Sequence, residues 1–308
     1  CLPALQSNQL IQIFRDLVFI ESGMLSAGGD PFVFNFIGGT ILAIVTAAVI
    51  FGGLTRIART ATILVPGMAL LYIVAILFAL ALNANEVPAA LGLIVKDAFT
   101  GEAAAGGAIL SMIIYGVRRG AYSNEAGMGT ESLVHGAAKT NEPTREGLVA
   151  MVGPIVDTLI VCTATALIIL VAGNWQSEAA EGVTLTANAF SILLGPIGTI
   201  IIFLCVLCFA TTTIFTYSFY GSQCASFLFG TKSQKAYRYI FVGSIIIMSV
   251  ISIESAVNLI DGCFALMAIP TMTSAIWLAP KVLAEAVSYT HLRAHETRGN
   301  LVCRLLLE

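Results

Sequence analysis

Charge is what this chain has least of. Only 11% of its 308 residues are Asp, Glu, Lys or Arg, against roughly 25% in soluble domains, and the runs 32–55 and 61–85 hold none at all. Stretches like these cannot cover a water-facing surface, so a soluble globular domain is excluded. The net charge of -3, with no basic stripe interleaved with aromatics, excludes a nucleic-acid partner. Histidine is nearly missing: of 3 in the chain, His291 and His295 lie near the C-terminus and only His135 elsewhere. With no HExxH, no GxSxG and no Cys–His pairing, nothing assembles a catalytic constellation, and an enzyme is not expected. Polar loops hold few of the 7 cysteines. Cys162, Cys205, Cys208, Cys224 and Cys263 fall in apolar runs and read as small packing residues, not as a disulfide framework. No methionine and no signal peptide opens the chain at Cys1, so an N-terminally truncated fragment is expected, starting near the end of a helix.

What is there is apolar. The chain is 57% hydrophobic with a mean hydropathy of +0.91, values of an all-α polytopic membrane protein whose main partner is the lipid bilayer. Spans are expected at 32–55, 61–85 and 148–175, the last with one internal acid, Asp157. The uncharged run 183–231 is too long for one crossing, and Gly195–Pro196 offers a helix start inside it. A short helix and then a long span from Pro196 to Phe229 are therefore expected. Spans at 237–252 and 255–279 complete the set, and residues 1–17 read as the tail of an earlier one.

Loop charges alternate. One set of loops carries Arg56 and Arg59, then Lys139 and Arg145, then Lys232, Lys235 and Arg238, then Lys281. The opposite set carries Glu86, Asp97, Glu102, Glu178, Glu181 and Glu254, with Lys96 its clear cation. The positive-inside rule makes the loops at 56–59, 139–145, 232–238 and 281 cytoplasmic. That alternation requires 103–139 to cross once, although it contains YGVRRGAYSNEAGMGTESLVHGAAKTNEPT (115–144), where glycine, charge and amide side chains replace apolar residues. Irregular polar backbone survives at membrane depth only when buried in protein or lining a watery cavity. A discontinuous helix near 115–139 is expected, its carbonyl oxygens suited to Na⁺ and its second half-helix N-terminus suited to a carboxylate. An extramembrane loop between two shorter helices is the plainer alternative.

GVRRGAYSNEAGMGTES followed by HGAAKTNEPTREGLVAMVGPIVDTLIVCTATALIIL closely resembles the alanine/glycine:cation symporters, with their GxxRGxxSNEAGxG, AAAKT and PxxxGLVxMxGxxxDT segments. GGLTRIARTATILVPGMALLY, FYGSQCASFLFG and LMAIPT are similar to further segments of that family. The resemblance covers about residues 1–285. It implies a partial inverted-repeat amino-acid/sodium symporter (LeuT-like) fold. Residues 1–286 would run from the end of core helix 3 through helix 10, and the first helix, with its GxGN segment, would fall before Cys1. Residues 287–308 depart abruptly and are expected to be a non-native or disordered tail; His291 and His295, four apart, lack a third metal ligand.

The resemblance also assigns residues. Gln6 matches a glutamine lining the substrate cavity. Thr213 and Tyr217, four apart and so on one helix face, match a Thr and a Trp that face substrate, here with tyrosine in place of tryptophan. Ser123, Asn124 and Gly127 are the expected substrate contacts in the break. The hydroxyls of Thr212 and Thr213 are the expected sodium ligands, unless they bond back to carbonyls four residues earlier. Asn124 and Glu125 could instead cap the second half-helix. Arg118 and Arg119 read equally as gating charges or as side chains snorkelling to an interface. Asp157 and Asp261, acids inside spans, are functional candidates or helix–helix hydrogen-bond partners. The implied activity is Na⁺-coupled uptake of a small neutral amino acid, alanine or glycine, across a bacterial or archaeal cell membrane by a monomer, with Na⁺ as coupling ion and no other cofactor. A proton-coupled symporter is the alternative, then a channel.

Overall fold

A computed structural model of the chain describes residues 2–20, 30–99, 108–176 and 182–305, and no β-strand occurs among the described residues. Inside hydrocarbon each backbone N–H and C=O must be paired within its own segment, which a helix does locally. Among the described residues five helices are long and apolar enough to cross a bilayer: Phe32–Ile50, Arg56–Leu82, Pro143–Ala172, Pro196–Phe229 and Ile253–Thr290. Bulky apolar side chains such as Ile63, Leu77, Ile276 and Trp277 stand exposed on them, as lipid-facing surfaces do.

The elements in chain order are α1 (Leu2–Phe14) with a π-helical turn Arg15–Ile20, α2 (Phe32–Ile50), α3 (Gly53–Leu82), α4 (Val87–Phe99) and α5 (Ala108–Asn124). There follow α6 (Thr130–His135), α7 (Pro143–Pro154), a π-helical stretch Ile155–Cys162, α8 (Thr163–Ala172) and α9 (Val183–Leu194). The last are α10 (Pro196–Phe229), α11 (Ser233–Val250) and α12 (Ile253–Leu305). The chain forms two units, Cys1–Tyr115 with Ile160–Cys263, and Gly116–Leu159 with Phe264–Glu308.

In the first unit α10 is the central helix, packed against α1, α2, α3, α9 and α11. Its start follows from Gly195 at φ 65 with Pro196 in the first turn, where a missing N–H costs nothing. One side of it is buried deep: Ile202, Cys205, Ala210, Ile214 and Phe215 are at most 4% exposed. Tyr72 of α3 lies edge-on to Phe209 of α10 at 5.9 Å, and Phe14 of α1 meets Phe203 at 4.7 Å.

The two ends of this unit differ chemically. At one, Asn8 donates to the Ile251 carbonyl at 2.6 Å and Gln9 accepts the Val183 N–H at 2.8 Å. Gln9 also donates to Gln12 at 2.9 Å, Gln12 to Thr184 at 3.2 Å, and Thr184 to Asp16 at 3.0 Å. At the other end Ile57, beside Arg56, and Arg238 line one cavity. The basic loops 56–59 and 232–238 thus share an end, as the charge alternation requires of them.

α2 and α11 approach closely because Gly39 has no side chain: a Cβ there would collide with the Ser249 hydroxyl, which donates to Asn35 O at 3.1 Å and Ile246 O at 2.7 Å. Gly243 on α11 has open space at its Cβ position. Helix propensity favours alanine equally at both sites, so the pair isolates packing. Gly39→Ala is expected to lose about 1–3 kcal/mol relative to Gly243→Ala, read as a lower melting temperature of the detergent-solubilised chain.

The structure departs from the sequence expectations at two places. Val87–Phe99, expected as an acidic loop, is a helix: Pro88 fits its first turn, and Ala-Ala-Leu-Gly-Leu-Ile-Val propagates it against α8. The second half of the interrupted helix stops at His135 rather than near 139, with Gly136 as its C-cap. The backbone of the expected tail 287–308 continues α12 as far as Leu305, its side chains from 291 onward lying outside the described residues. Cys1, Glu102, Glu178 and Glu181 lie outside them also.

Candidate functional site

The polar break sits wholly within the second unit. α5 ends at Asn124 and α6 begins at Thr130. Between them Glu125 (φ 55), Gly127 (φ 80) and Gly129 (φ 82) all take left-handed backbone. No α-helix passes through three such residues, and a non-glycine one is held there only by its surroundings. Two of those supports are hydrogen bonds: Met128 N–H to Glu125 O at 3.0 Å, and Ala126 N–H to Asn124 Oδ1 at 2.9 Å. α12 crowds the break, since a Cβ on Gly127 would strike Met272 and one on Gly129 would press on Thr271. Tyr122 meets Phe264 edge-on at 4.9 Å, and the Arg119 guanidinium lies 5.4 Å from the Tyr122 ring centroid.

Two helices thus flank the break, and the N-cap of the second is Gly129, with no side-chain cap. Asn124 caps the break itself, not α6. Its Nδ2 donates to Thr158 Oγ1 at 2.8 Å. With Oδ1 on Ala126, two of its four hydrogen-bonding capacities are used and two remain.

The span across from the break supplies an acid. Ser123 donates its hydroxyl to Asp157 Oδ2, and Thr158 donates to the same oxygen at 3.3 Å. Asp157 Oδ1 accepts no hydrogen bond among the described residues. Asp157 and Thr158 lie on the π-helical stretch Ile155–Cys162, directly after Pro154; such bulges often mark functional positions. Thr130, at the start of α6, is 4% exposed and its hydroxyl oxygen has no hydrogen-bond partner. Buried polar atoms of that kind call for an explanation. Beyond α6, His135 Nδ1 and Glu146 Oε1, 2.7 Å apart, tie it to α7.

Ser123, Asn124, Gly127 and Asp157 are expected here from the sequence; Thr130 and Thr158 are not, although both stand in the motifs quoted above, directly after AGMG and in VDT.

The first unit holds the other expected residues. Thr211 and Thr212 bond back to Leu207 O and Cys208 O, each at 2.7 Å, the plainer alternative for both. Thr212 is also 5% exposed. Thr213 is different: half-buried, its hydroxyl makes no hydrogen bond among the described residues. Tyr217 lies one turn on, its ring 5.1 Å from that of Tyr220. Gln6 is half-buried on α1, the helix packed along α10, and likewise makes no side-chain hydrogen bond among the described residues. Asp261 is half-buried on α12, and Arg118 is exposed on α5.

Comparison with known proteins gives this geometry a lineage. Residues 1–301 match the model of the sodium:alanine symporter family. A sodium/alanine symporter, AgcS, of Methanococcus maripaludis is 37% identical over 275 residues, covering 88% of this chain and 60% of the relative. A "Probable sodium/glutamine symporter GlnT" of Bacillus subtilis is 34% identical over 255 residues, 82% of this chain and 53% of the relative. A sodium/proton-dependent alanine carrier protein of Bacillus sp. (strain PS3) is 32% identical over 248 residues, 76% and 52%. The chain thus spans little more than half the length of these relatives, all of them transporters and none an enzyme. A multi-pass membrane chain with a glycine-rich polar break and a match over nearly its whole length belongs to the sodium:alanine symporter family.

Proposed function

We propose that this chain forms part of a secondary active symporter that carries a small neutral amino acid, alanine or glycine, into the cell with Na⁺. The observation that carries the proposal is the Asp157 carboxylate held against the break by Ser123 and Thr158, with one oxygen uncommitted. Na⁺ favours hard oxygen ligands. Asp157 Oδ1, the orphan hydroxyl of Thr130 and carbonyls freed between Glu125 and Gly129 supply that chemistry. Ser123, Asn124 and Gly127 serve the substrate's charged ends from the break, and Gln6, Thr213 and Tyr217 serve it from α1 and α10. Thr213, whose hydroxyl is not spent on its own helix, is the stronger sodium candidate of the Thr212–Thr213 pair. The names of the relatives, for alanine and for glutamine, support an uncharged amino acid.

The proposed frame is the inverted-repeat LeuT-like core in a bacterial or archaeal cell membrane. The protein acts as a monomer, with the loops 56–59, 139–145, 232–238 and 281 cytoplasmic. Transport proceeds by alternating access, and because binding couplings are reciprocal, Na⁺ raises amino-acid affinity by the factor the amino acid raises that of Na⁺.

The test is uptake of labelled alanine into vesicles carrying the complete open reading frame that contains these residues. An inward Na⁺ gradient is expected to concentrate alanine at fixed pH. Accumulation driven by a pH gradient alone would replace Na⁺ with H⁺ as coupling ion, and mere equilibration under both would make the protein a passive pore.

A further inference from the structure

The basic end of the first unit holds a cavity that the transport reading does not use. It measures about 130 Å³ and is walled by the buried Ile50 and Ile57, with Ser218, Ser222, Gln234 and Arg238 among its polar lining. Ser218, 1% exposed, spends its hydroxyl on Phe215 O at 2.6 Å. Ser222 does not: it is 5% exposed, lines the cavity, and makes no hydrogen bond among the described residues. Arg238 is half-buried against the same space and forms no ion pair among the described residues. A serine hydroxyl with no hydrogen bond and a guanidinium with no ion pair among the described residues share one cavity.

The surroundings select the ligand. Arg56 and Arg59 begin α3, and Lys232 and Lys235 precede Arg238, while residues 50–60 and 218–240 contain no Asp or Glu. These two segments bring five cations and no acid of their own, so the ligand is an anion. Beside the polar mouth, Phe227, Leu228 and Phe229 close α10 at 90%, 68% and 79% exposure, and Tyr239 and Ile240 stand exposed on α11. An anionic head between cations with apolar tails on adjacent exposed rings is the form of a phospholipid, and basic pockets between membrane helices hold such head groups. Arginine's planar fork matches a phosphate's two oxygens. We propose that this cavity binds the phosphate of an anionic phospholipid, clamped by Arg238 and accepting the Ser222 hydroxyl.

The experiment is native mass spectrometry of the detergent-purified chain titrated with phosphatidylglycerol, phosphatidylcholine or inorganic phosphate, paired with melting curves. Phosphatidylglycerol is expected to be retained and to raise the melting temperature, while phosphatidylcholine and inorganic phosphate are not. Arg238→Gln is expected to weaken that retention about tenfold or more, as loss of a charge-assisted bidentate contact does. Ser222→Ala, a smaller change that leaves folding intact, is expected to weaken it severalfold, and Arg238→Lys to fall between. Equal retention by wild type, Arg238→Gln and Ser222→Ala overturns the site. Protection by inorganic phosphate equal to that by phosphatidylglycerol, lost in Arg238→Gln, overturns the lipid in favour of a free anion.

Discussion

Asp157→Asn is expected to abolish Na⁺-stimulated alanine uptake at ordinary salt, raising the Na⁺ concentration for half-maximal uptake by about a hundredfold or more, while leaving the protein in the membrane. The substitution is chosen because the asparagine carbonyl can still accept the Ser123 hydroxyl and the 3.3 Å bond from Thr158, so the break keeps its support. What goes is the formal charge. A unit charge pair at 4 Å is worth about 4 kcal/mol at an effective dielectric near 20. A hundredfold change needs roughly 2.8 kcal/mol, so the loss survives a substantial discount for water in the site. Asp157→Glu, which keeps the charge and displaces it, should recover part of the Na⁺ response. Unchanged Na⁺ dependence in Asp157→Asn would remove the carboxylate from the cation site. Asn124→Ala separates the neighbouring role: it loses the bonds to Ala126 and Thr158, and should reduce uptake with a loss of thermal stability that Asp157→Asn does not share.

How far the chain discloses itself depends on which physical rule governs each part. The start of α10 at Pro196 was legible because Gly195–Pro196 can do little else in an uncharged run, and it governs the helix on which the first unit is built. The break near 125–129 was legible because glycine, amide and acid side chains are ruled out against lipid. Its inner geometry was not. Nothing in SNEAGMG says that Glu125, rather than one of the glycines alone, takes φ 55, since that depends on the hydrogen bonds that close the turn around it. α4 was missed because Lys96 and Asp97, with Glu86 just before the helix, mark a loop by charge, whereas a short helix at the edge of a bundle tolerates them on its exposed side. Hydroxyls are the hardest residues to read. Thr130, Thr158, Thr212 and Thr213 look alike in sequence, yet one is an orphan, one bridges to an asparagine, one bonds back to its own helix and one is uncommitted. Rotamer and neighbours decide among these states, and both come from tertiary packing.

That distinction carries the second large effect. Thr213→Val is expected to raise the KM for alanine or the half-saturating Na⁺ concentration by about tenfold to a hundredfold, and Thr212→Val to change either by only a few-fold. Valine matches threonine in shape, so both variants keep the packing of α10 and lose only an oxygen. At position 212 that oxygen donates to Cys208 O at 2.7 Å in a helix turn, a bond whose removal leaves the carbonyl with its ordinary N–H partner. At 213 no bond among the described residues competes, so the hydroxyl is available to a ligand, and a site that loses such a partner discriminates by about 1–3 kcal/mol. The readout separates the two assignments carried by Thr213. A shift confined to alanine KM at saturating Na⁺ makes it a substrate contact. A shift in the Na⁺ response that saturating alanine cannot overcome makes it a cation ligand. Equal, small effects at 212 and 213 would mean that neither hydroxyl meets a ligand. The polar function of this face would then rest with Tyr217 and with Gln6 on α1, where Tyr217→Phe and Gln6→Leu are the corresponding single-atom and single-group deletions to measure.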